Sequence, residues 1–258
     1  MTDHIRRVDD DGVITLTFTR DEKLNAVDDD MLDVVRAAVA DLGDGENQRV
    51  LVVTAEGRYF TAGVDISRFG GEQARSGVAL RRQYRRLHEL FDEIESIEKP
   101  VVLAAQGPCL GIGIELGVSC DFRLCSERAV FRLPEITNLA VIPGSGGISR
   151  LTRLIGPHWA RWLAMAAQQV DARQALSIGL VHQVLPDDGF AEAVQAFARG
   201  LAGISREALG LAKLAIDAAA SADRATARDV DRIANTLLLL SDEHRAAVEA
   251  FQARKNRR

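Results

Sequence analysis

Two glutamates, Glu115 and Glu135, stand twenty residues apart in mostly apolar segments. Glu115 is the one charged residue between Val101 and Cys120, and Glu135 follows Pro134 in FRLPEITNLAVIPGSGG. Two carboxylates in one apolar site push their proton affinities apart, because burial and mutual repulsion disfavour a second negative charge. One carboxylate can then take a proton while the other gives one. The pair predicts acid/base chemistry near neutral pH.

Glycines surround the first glutamate in GPCLGIGIELG and follow the apolar strand pattern VVLAAQG. A strand followed by G-x-x-x-G-x-G is also typical of a dehydrogenase, whose glycines admit a pyrophosphate at a helix N-terminus. Three observations count against this alternative. The motif lies in the middle of the chain, neither Tyr59 nor Tyr84 has a lysine four residues on, and Glu115 would repel phosphates. A dehydrogenase would bind a nicotinamide cofactor tightly.

Each acidic residue also has a purely structural interpretation. Glu115 could be a buried acid paired with an arginine, and Glu135 could cap a turn. For Asp65 we favour the structural role, in which its carboxylate fixes a loop through backbone hydrogen bonds.

The elements around these residues alternate between strands and helices, which predicts an α/β fold. Strands are predicted in GVITLTFTR, RVLVVTAEG, VVLAAQG, DFRLCS and AVFRLP, and a loop in RYFTAGVDISRFGG. Helices are predicted in DDDMLDVVRAAVADLGDG, where Gly43 is the stop, in ALRRQYRRLHELFDEIESIEKP and in GIGIELGVSC. Residues 1–188 are expected to form the core, and residues 189–258 a helical C-terminal region. The apolar run TLLLLS in that region packs either within the chain or on a neighbouring subunit.

The composition is that of an ordinary globular protein. The chain has 258 residues, 47% of them hydrophobic and 27% charged, and a formal net charge of −5. This charge gives no electrostatic case for nucleic acid or an anionic membrane surface as a partner. The N-terminal MTDHIRRVDDDG lacks the apolar core of a signal peptide, and no apolar run approaches the roughly 18 residues of a membrane span.

The cysteines and histidines predict no metal site. Cys109, Cys120 and Cys125 form no CxxC pair, and the five histidines show no HxxxH spacing. Three cysteines of this kind are typical of reduced core residues, so we expect a cytoplasmic protein without a disulfide framework.

Six segments in order resemble the enoyl-CoA hydratase/isomerase, or crotonase, superfamily over nearly the whole chain. They are RDEKLNAV, RYFTAGVDI, GPCLGIGIELGVSCDFRL, FRLPEITNLAVIPGSGG, ARQALSIGLVHQVLP and AFQARK. The resemblance implies a crotonase-like spiral of ββα units with a helical C-terminal region. It also implies that this region mediates a homotrimer or a dimer of trimers.

The resemblance further implies a hydratase mechanism. A thioester carbonyl would lie between the backbone N–H groups of Val64 and Ile112, which stabilise the developing enolate. Glu115 and Glu135 would hold a water over the double bond of a trans-2-enoyl-CoA, and the Gly144 backbone would contact that water. The product would be a 3-hydroxyacyl-CoA.

Coenzyme A is expected as part of the substrate, without a metal or redox cofactor. The resemblance places Ala26, Ala62 and Ile66, together with Val64 and Ile112, at the walls around the CoA moiety. It gives Arg254 or Lys255 a contact to a CoA phosphate.

Two features depart from the hydratase pattern. Ile112 stands where the family usually has glycine, and the segment between Glu135 and Gly144 is one residue longer than usual. Two further interpretations therefore stay open: an isomerase or another enolate-type reaction on an acyl-CoA, and a non-catalytic acyl-CoA-binding protein whose oxyanion hole is spoiled by Ile112.

Overall fold

The computed structural model describes residues 3–68 and 76–255 of the chain. Of the predicted loop over residues 58–71, the last three residues lie outside this part. The chain divides into two compact units, Met1–Glu95 with Pro100–Ala202 and Ser96–Lys99 with Gly203–Arg258.

Strands and helices alternate through the first unit. The strands are β1 (Ile5–Asp10), β2 (Val13–Phe18), β3 (Val50–Ala55), β4 (Val101–Ala105), β5 (Cys109–Leu110), β6 (Phe122–Ser126), β7 (Val130–Arg132), β8 (Val170–Asp171) and β9 (Gln183–Leu185). The helices are α1 (Asp29–Asp44), α2 (Gly77–Ser96), α3 (Ile112–Gly117), α4 (Glu135–Asn138), α5 (Gly147–Ala164), α6 (Ala172–Ser177) and α7 (Phe190–Ala202). Short 3-10 turns cover Asp21–Lys23 and Ile66–Arg68.

Six of the strands form one sheet in the order β1-β2-β3-β4-β6-β9. Strand β1 is antiparallel to β2, and the remaining pairs are parallel. In the centre of the sheet, Val52 of β3 pairs with Thr15 of β2 and with Val102 of β4. All five residues of β4 are buried, as expected for a parallel strand covered on both faces.

Helix α7 packs on this sheet and closes the first unit. Its inward residues recur with helical spacing and contact the aliphatic side chains of four strands. The cluster consists of Val13, Val50, Val52, Val102, Ala104, Leu124, Phe190, Val194, Ala198 and Leu201. Because α7 belongs to this core, the first unit extends to Ala202, beyond the division at residue 188 expected from composition.

Helix α1 begins where the run of aspartates predicts. The carboxylate of Asp28 accepts a hydrogen bond from the Met31 amide at 3.0 Å and caps the helix. Gly43, the predicted stop, lies inside the helix. The helix continues to Asp44, and the following Gly45 donates to the Asp41 carbonyl at 3.0 Å.

A second sheet, in the order β5-β7-β8, is short but carries the site. Cys109 pairs in parallel with Phe131, and Phe131 pairs antiparallel with Val170. Strand β5 leads directly into α3, which contains Glu115, and α4 begins just after β7 with Glu135. Because β5 pairs with β7, the sheet brings these two chain segments together.

The second unit consists mainly of helices α8 (Arg206–Ser221), α9 (Arg224–Leu239) and α10 (Asp242–Lys255). Ser205 caps α8 and Asp223 caps α9, each through its side-chain oxygen. The run TLLLLS ends α9, and Leu237, Leu239 and Leu240 are more than half exposed in the chain. The helical character predicted for the C-terminal region is therefore confirmed. Of the two alternatives for the run TLLLLS, packing within the chain does not hold for these three leucines.

No helix within the described ranges is long and apolar enough to cross a membrane. Cys109, Cys120 and Cys125 are all buried and are not joined in disulfides, in agreement with their interpretation as core residues.

Candidate active site

The loop that contains Val64 is fixed by main-chain pairing with the segment that contains Val27. The Val27 amide donates to the Gly63 carbonyl at 2.9 Å, and the Asp65 amide donates to the Val27 carbonyl at 2.8 Å. In parallel pairing of this kind the N–H of the intervening residue points away from the partner segment. The Val64 amide is therefore directed away from Val27.

A cluster of buried ion pairs also fixes the loop that contains Val64. Arg20 Nη1 lies 3.2 Å from Asp28 Oδ2 and 2.9 Å from Asp65 Oδ2, and all three side chains are buried. The carboxylate of Asp65 also accepts from the Ser67 amide at 3.1 Å. Hydrogen bonds from Ser67, and then from Arg20, hold the pKa of Asp65 well below its usual range. Asp65 thus has the loop-fixing contacts that the sequence predicts for it.

The second backbone segment reaches the site through strand β5. The Leu110 amide donates to the Thr61 carbonyl at 3.0 Å, and the Gly111 amide donates to the Arg132 carbonyl at 3.1 Å. Gly111 has φ 55° and ψ −121°, a conformation that essentially only glycine adopts. Ile112 follows as the first residue of α3, where backbone N–H groups have no intrahelical acceptor.

The two segments are in direct contact at their glycines. A methyl group at position 111 would lie 3.4 Å from the Cα of Gly63. The residues that follow these glycines, Val64 and Ile112, both border one cavity. Val64 and Ile112 therefore lie on neighbouring segments at the same cavity, and the role of their amides as an oxyanion hole stays a prediction. The Ile112 side chain is buried, with 3% of its surface exposed.

Glu115 is a buried acid whose partners are backbone amides rather than an arginine. It is 4% exposed, and its Oε1 accepts from the Ser145 amide at 2.8 Å. Burial raises the pKa of Glu115, and hydrogen bonds from Ser145 and Gly147 together with the nearby His88 oppose that rise. Because Ser145 and Gly147 lie where α5 begins, the positive end of that helix faces the carboxylate.

Glu135 is the first residue of α4 and lies beside Gly111. A methyl group at position 111 would be 2.8 Å from Glu135 Oε1. Its Oε2 is buried and has no hydrogen-bond partner among the described residues. Burial raises the pKa of Glu135 to about 7, and the charge of Glu115 adds to the rise. The two acids therefore differ in their hydrogen bonds: Glu115 Oε1 accepts from a backbone amide, and Glu135 Oε2 has no partner in the described part of the chain.

The longer segment after Glu135 contains one left-handed residue, Ala140, with φ 53°. Except for Ala140, the residues from Asn138 to Ser145 line the cavity, with Gly144 among them. Helix α2 contacts Gly144 through His88, whose Nε2 donates to the Gly144 carbonyl at 2.8 Å. The ring of Tyr84 fills the space beside the Gly144 Cα, where a methyl group would lie 2.6 Å from Tyr84 Cε1.

A single cavity of about 710 Å³ collects these groups. It is bordered by every predicted site residue of the first unit: Ala26, Ala62, Val64, Ile66, Ile112, Glu115, Glu135 and Gly144. Lys255 is exposed at the end of α10 in the second unit, and its contact with a CoA phosphate stays a prediction. The side chain of Arg254 lies outside the described residues.

Sequence analysis missed four residues of this site: Tyr84, His88, Ser145 and Arg150. Tyr84 lines the cavity, Ser145 donates to Glu115, and Arg150 donates to the Ser145 carbonyl at 3.3 Å. One signal was available, since Leu80, Tyr84 and His88 recur every four residues on one face of α2. Polar residues such as His88 on an otherwise apolar face of a helix indicate that this face borders a functional site.

Solved structures with the same fold include hydratases. An enoyl-CoA hydratase from Bacillus anthracis superposes with a TM-score of 0.89 at 28% identity, over 97% of this chain and 96% of that one. DspI from Pseudomonas aeruginosa superposes with a TM-score of 0.89 at 27% identity, over 98% and 95%. The predicted α/β, crotonase-like fold is confirmed.

The same class of protein is found by sequence. The family model described as enoyl-CoA hydratase/isomerase matches residues 9–257. A crotonyl-CoA hydratase of Syntrophomonas wolfei subsp. wolfei is 31% identical over 246 residues, which are 94% of this chain and 92% of that protein. The enoyl-CoA isomerase/hydratase fer4 of Mycosarcoma maydis is 30% identical over 95% of this chain and 91% of its own. The chain belongs to the enoyl-CoA hydratase/isomerase family.

Proposed function

We propose that this protein is an enoyl-CoA hydratase, which adds water to a trans-2-enoyl-CoA and gives a 3-hydroxyacyl-CoA. One observation carries the proposal: Glu115 and Glu135 border one cavity together with the residues that supply two neighbouring backbone amides. Hydration needs a base for water, an acid for carbon and a site for the enolate oxygen. Each of these requirements has a candidate group in this cavity.

The thioester carbonyl accepts hydrogen bonds from the amides of Val64 and Ile112. Addition of water at C3 moves negative charge onto this oxygen, and fixed N–H donors stabilise that charge without reorganising. Removing one such donor typically costs about 2.7–4 kcal/mol of transition-state stabilisation. Since the donors are backbone groups, the side chain of Ile112 leaves them in place. The clustered hydrogen bonds around Gly63 and Gly111 support this role.

The two glutamates take different parts in the proton transfers. Glu115 accepts from the Ser145 amide, so we assign it the ionised form that removes a proton from the attacking water. Glu135 has a pKa raised to about 7 by burial and an oxygen without a hydrogen-bond partner in the described residues. We assign it the proton that is delivered to C2. In the reverse reaction the two roles exchange, as microscopic reversibility requires.

The remaining cavity residues are proposed to hold the CoA moiety. Ala26, Ala62 and Ile66 border the cavity, and the short side chains of the two alanines leave room for an extended thioester. Lys255 is proposed to reach a CoA phosphate. Binding of this long handle would supply the energy that positions the short reacting end. Coenzyme A is then part of the substrate, and the proposed steps need no further cofactor.

Double-bond isomerisation is the second candidate function. It would pass through a dienolate stabilised by the same two amides, with one glutamate removing a proton at C4 and returning it at C2. One relative carries both activities in its name, enoyl-CoA isomerase/hydratase fer4. The products of the two reactions differ in mass, because hydration adds one water to the substrate and isomerisation leaves its mass unchanged. A protein that binds acyl-CoA without turnover is the remaining alternative.

We also propose that the helical second unit mediates a homotrimer or a dimer of trimers. Ile233, Leu237 and Leu240 lie at positions i, i+4 and i+7 of the α9 region and are 60%, 57% and 71% exposed. A stripe of this kind is typical of a surface that packs against another chain.

The direct test is hydration of crotonyl-CoA and of a longer enoyl-CoA, followed as loss of the conjugated thioester absorbance. Wild type should turn over at least one of them. Glu135→Gln should be slower by about 10²-fold or more, the usual size for one acid/base group. The matched control is Glu127→Gln, since Glu127 is an exposed residue outside the cavity. The proposal is wrong if no enoyl-CoA of any chain length is consumed.

A further inference from the structure

One peptide unit, between Gly144 and Ser145, connects His88 of α2 to Glu115 of α3. His88 Nε2 lies 2.8 Å from the carbonyl oxygen of Gly144. The amide at the other end of the same unit, that of Ser145, donates to Glu115 Oε1 at 2.8 Å. In a trans peptide the C=O and N–H lie in one rigid plane and point in opposite directions. A contact at the oxygen therefore sets the direction of the N–H.

The hydrogen in the outer contact belongs to His88. A carbonyl oxygen only accepts, so the ring nitrogen Nε2 must carry the proton. Hydrogen bonds in series polarise one another, and donation to a carbonyl strengthens the N–H at the far end of that peptide. His88 thus acts on Glu115 through orientation and through polarisation of the Ser145 amide.

The loop has a second, separate attachment to α2. Arg150 is buried and donates to the Ser145 carbonyl at 3.3 Å, and its Nε lies 2.8 Å from Glu95 Oε2. It also pairs with Asp92. These contacts hold the next peptide unit, so the loop keeps an anchor when His88 is replaced. A substitution at position 88 should therefore change one peptide more than the whole loop.

We propose that His88 is a positioning residue, which acts through the Gly144–Ser145 peptide to hold the Glu115 carboxylate at the cavity. The assignment of Glu115 as a base rests on the proposed hydratase function, but the connection of His88 to Glu115 through this peptide does not. The charged and titratable groups that surround Glu115, directly or one residue further out, are His88, Glu135, Arg150, Asp92 and Glu95.

Two variants of His88 separate its hydrogen bond from its bulk. His88→Gln keeps an N–H donor near the position of Nε2, and His88→Leu removes it. His88→Leu should lower kcat by about 10-fold, the upper range for one neutral hydrogen bond, and leave KM for the enoyl-CoA within about twofold. His88→Gln should restore most of kcat. The control is His158→Leu, because His158 is exposed on α5, and it should match wild type.

A second readout does not depend on turnover. The side-chain carboxyl carbons of glutamate are titrated by carbon-13 NMR in each folded variant, and the Glu115 signal is assigned with Glu115→Gln. His88→Leu should raise the pKa of Glu115, because the carboxylate loses an oriented donor, and His88→Gln should not. His88→Met serves in place of His88→Leu if the leucine variant does not fold.

The inference is overturned if Glu115 titrates alike in wild type and the donor-free variant, or if His88→Gln behaves as His88→Leu in both measurements. A raised Glu115 pKa in a protein that consumes no enoyl-CoA would keep the inference and reject the hydratase function. Unchanged titration in a protein that hydrates enoyl-CoA would do the reverse.

Discussion

The carboxylate of Glu135 occupies the space that a side chain at Gly111 would need, since a methyl group there would lie 2.8 Å from Glu135 Oε1. Gly111→Ala should therefore displace the carboxylate and lower kcat by about 10²-fold, the cost of misplacing a reacting group by about 1 Å. The rate with crotonyl-CoA measures this effect. The control is Gly179→Ala, because Gly179 also has a positive φ, 79°, but no atom within 4 Å of the added methyl. An equal loss of activity in both variants would attribute the effect to backbone strain instead.

The side chain of Glu115 occupies the space that a side chain at Gly147 would need, and Gly147 does not have a positive φ. A methyl group at position 147 would lie 2.5 Å from the Cγ of Glu115. We expect Gly147→Ala to push Glu115 from its place and to reduce activity by about 10²-fold. The matched control is Gly200→Ala in helix α7, where nothing lies within 4 Å. That variant should keep full activity and gain about 0.5–1 kcal/mol in free energy of unfolding. Full activity in Gly147→Ala would contradict the position assigned to Glu115.

The pH dependence follows from the pKa of Glu135, which burial raises to about 7. Hydration needs the proton on Glu135, so kcat/KM should fall as the pH rises past about 7. Dehydration of the 3-hydroxyacyl-CoA should show the same limb, because the pair holds one proton in both directions. In Glu135→Gln the residual rate should lack this limb. A limb that persists in that variant would belong to another group.

The apolar stripe on the second unit predicts a concentration-dependent assembly. Leu237→Glu places a charge in a stripe that is more than half exposed in the single chain, so it should dissociate the oligomer. Sedimentation velocity at micromolar concentration would give the masses, to be compared with 28.1 kDa for one chain. The control is Val8→Glu, at an exposed residue of β1 in the first unit. A monomeric wild type, or an unchanged mass for Leu237→Glu, would reject the proposed interface.

Much of the fold could be predicted because its central elements have strong patterns. The buried strands β3 and β4 and the capped helix α1 follow from aliphatic runs and the aspartates before Met31. Strand β1 was missed because all of its side chains except Ile5 are exposed and most are charged, so only its backbone pairing with β2 defines it. The two-residue strands β5 and β8 are too short to show a pattern in the sequence and are defined by their pairing with β7.

Part of the candidate site could also be predicted from the sequence, and part of it could not. Glu115, Glu135 and the glycines form motifs that are local in sequence, and the fold brings them to one cavity. The supporting contacts are not local: His88 reaches Gly144 across 56 residues, and Arg150 reaches Asp92 across 58. No spacing rule in a single sequence predicts such pairs. The role of Lys255 and the cytoplasmic location stay predictions.

The most direct test of the central claim follows the atoms of water into the product. Crotonyl-CoA is incubated with the protein in oxygen-18 water and, separately, in deuterium oxide, and the thioester products are examined by mass spectrometry and NMR. Hydration predicts a 3-hydroxy product with oxygen-18 at C3 and one deuterium at C2, formed about 10²-fold more slowly by Glu135→Gln. A product of unchanged mass in oxygen-18 water, or deuterium at C4, would contradict hydration and indicate an isomerase.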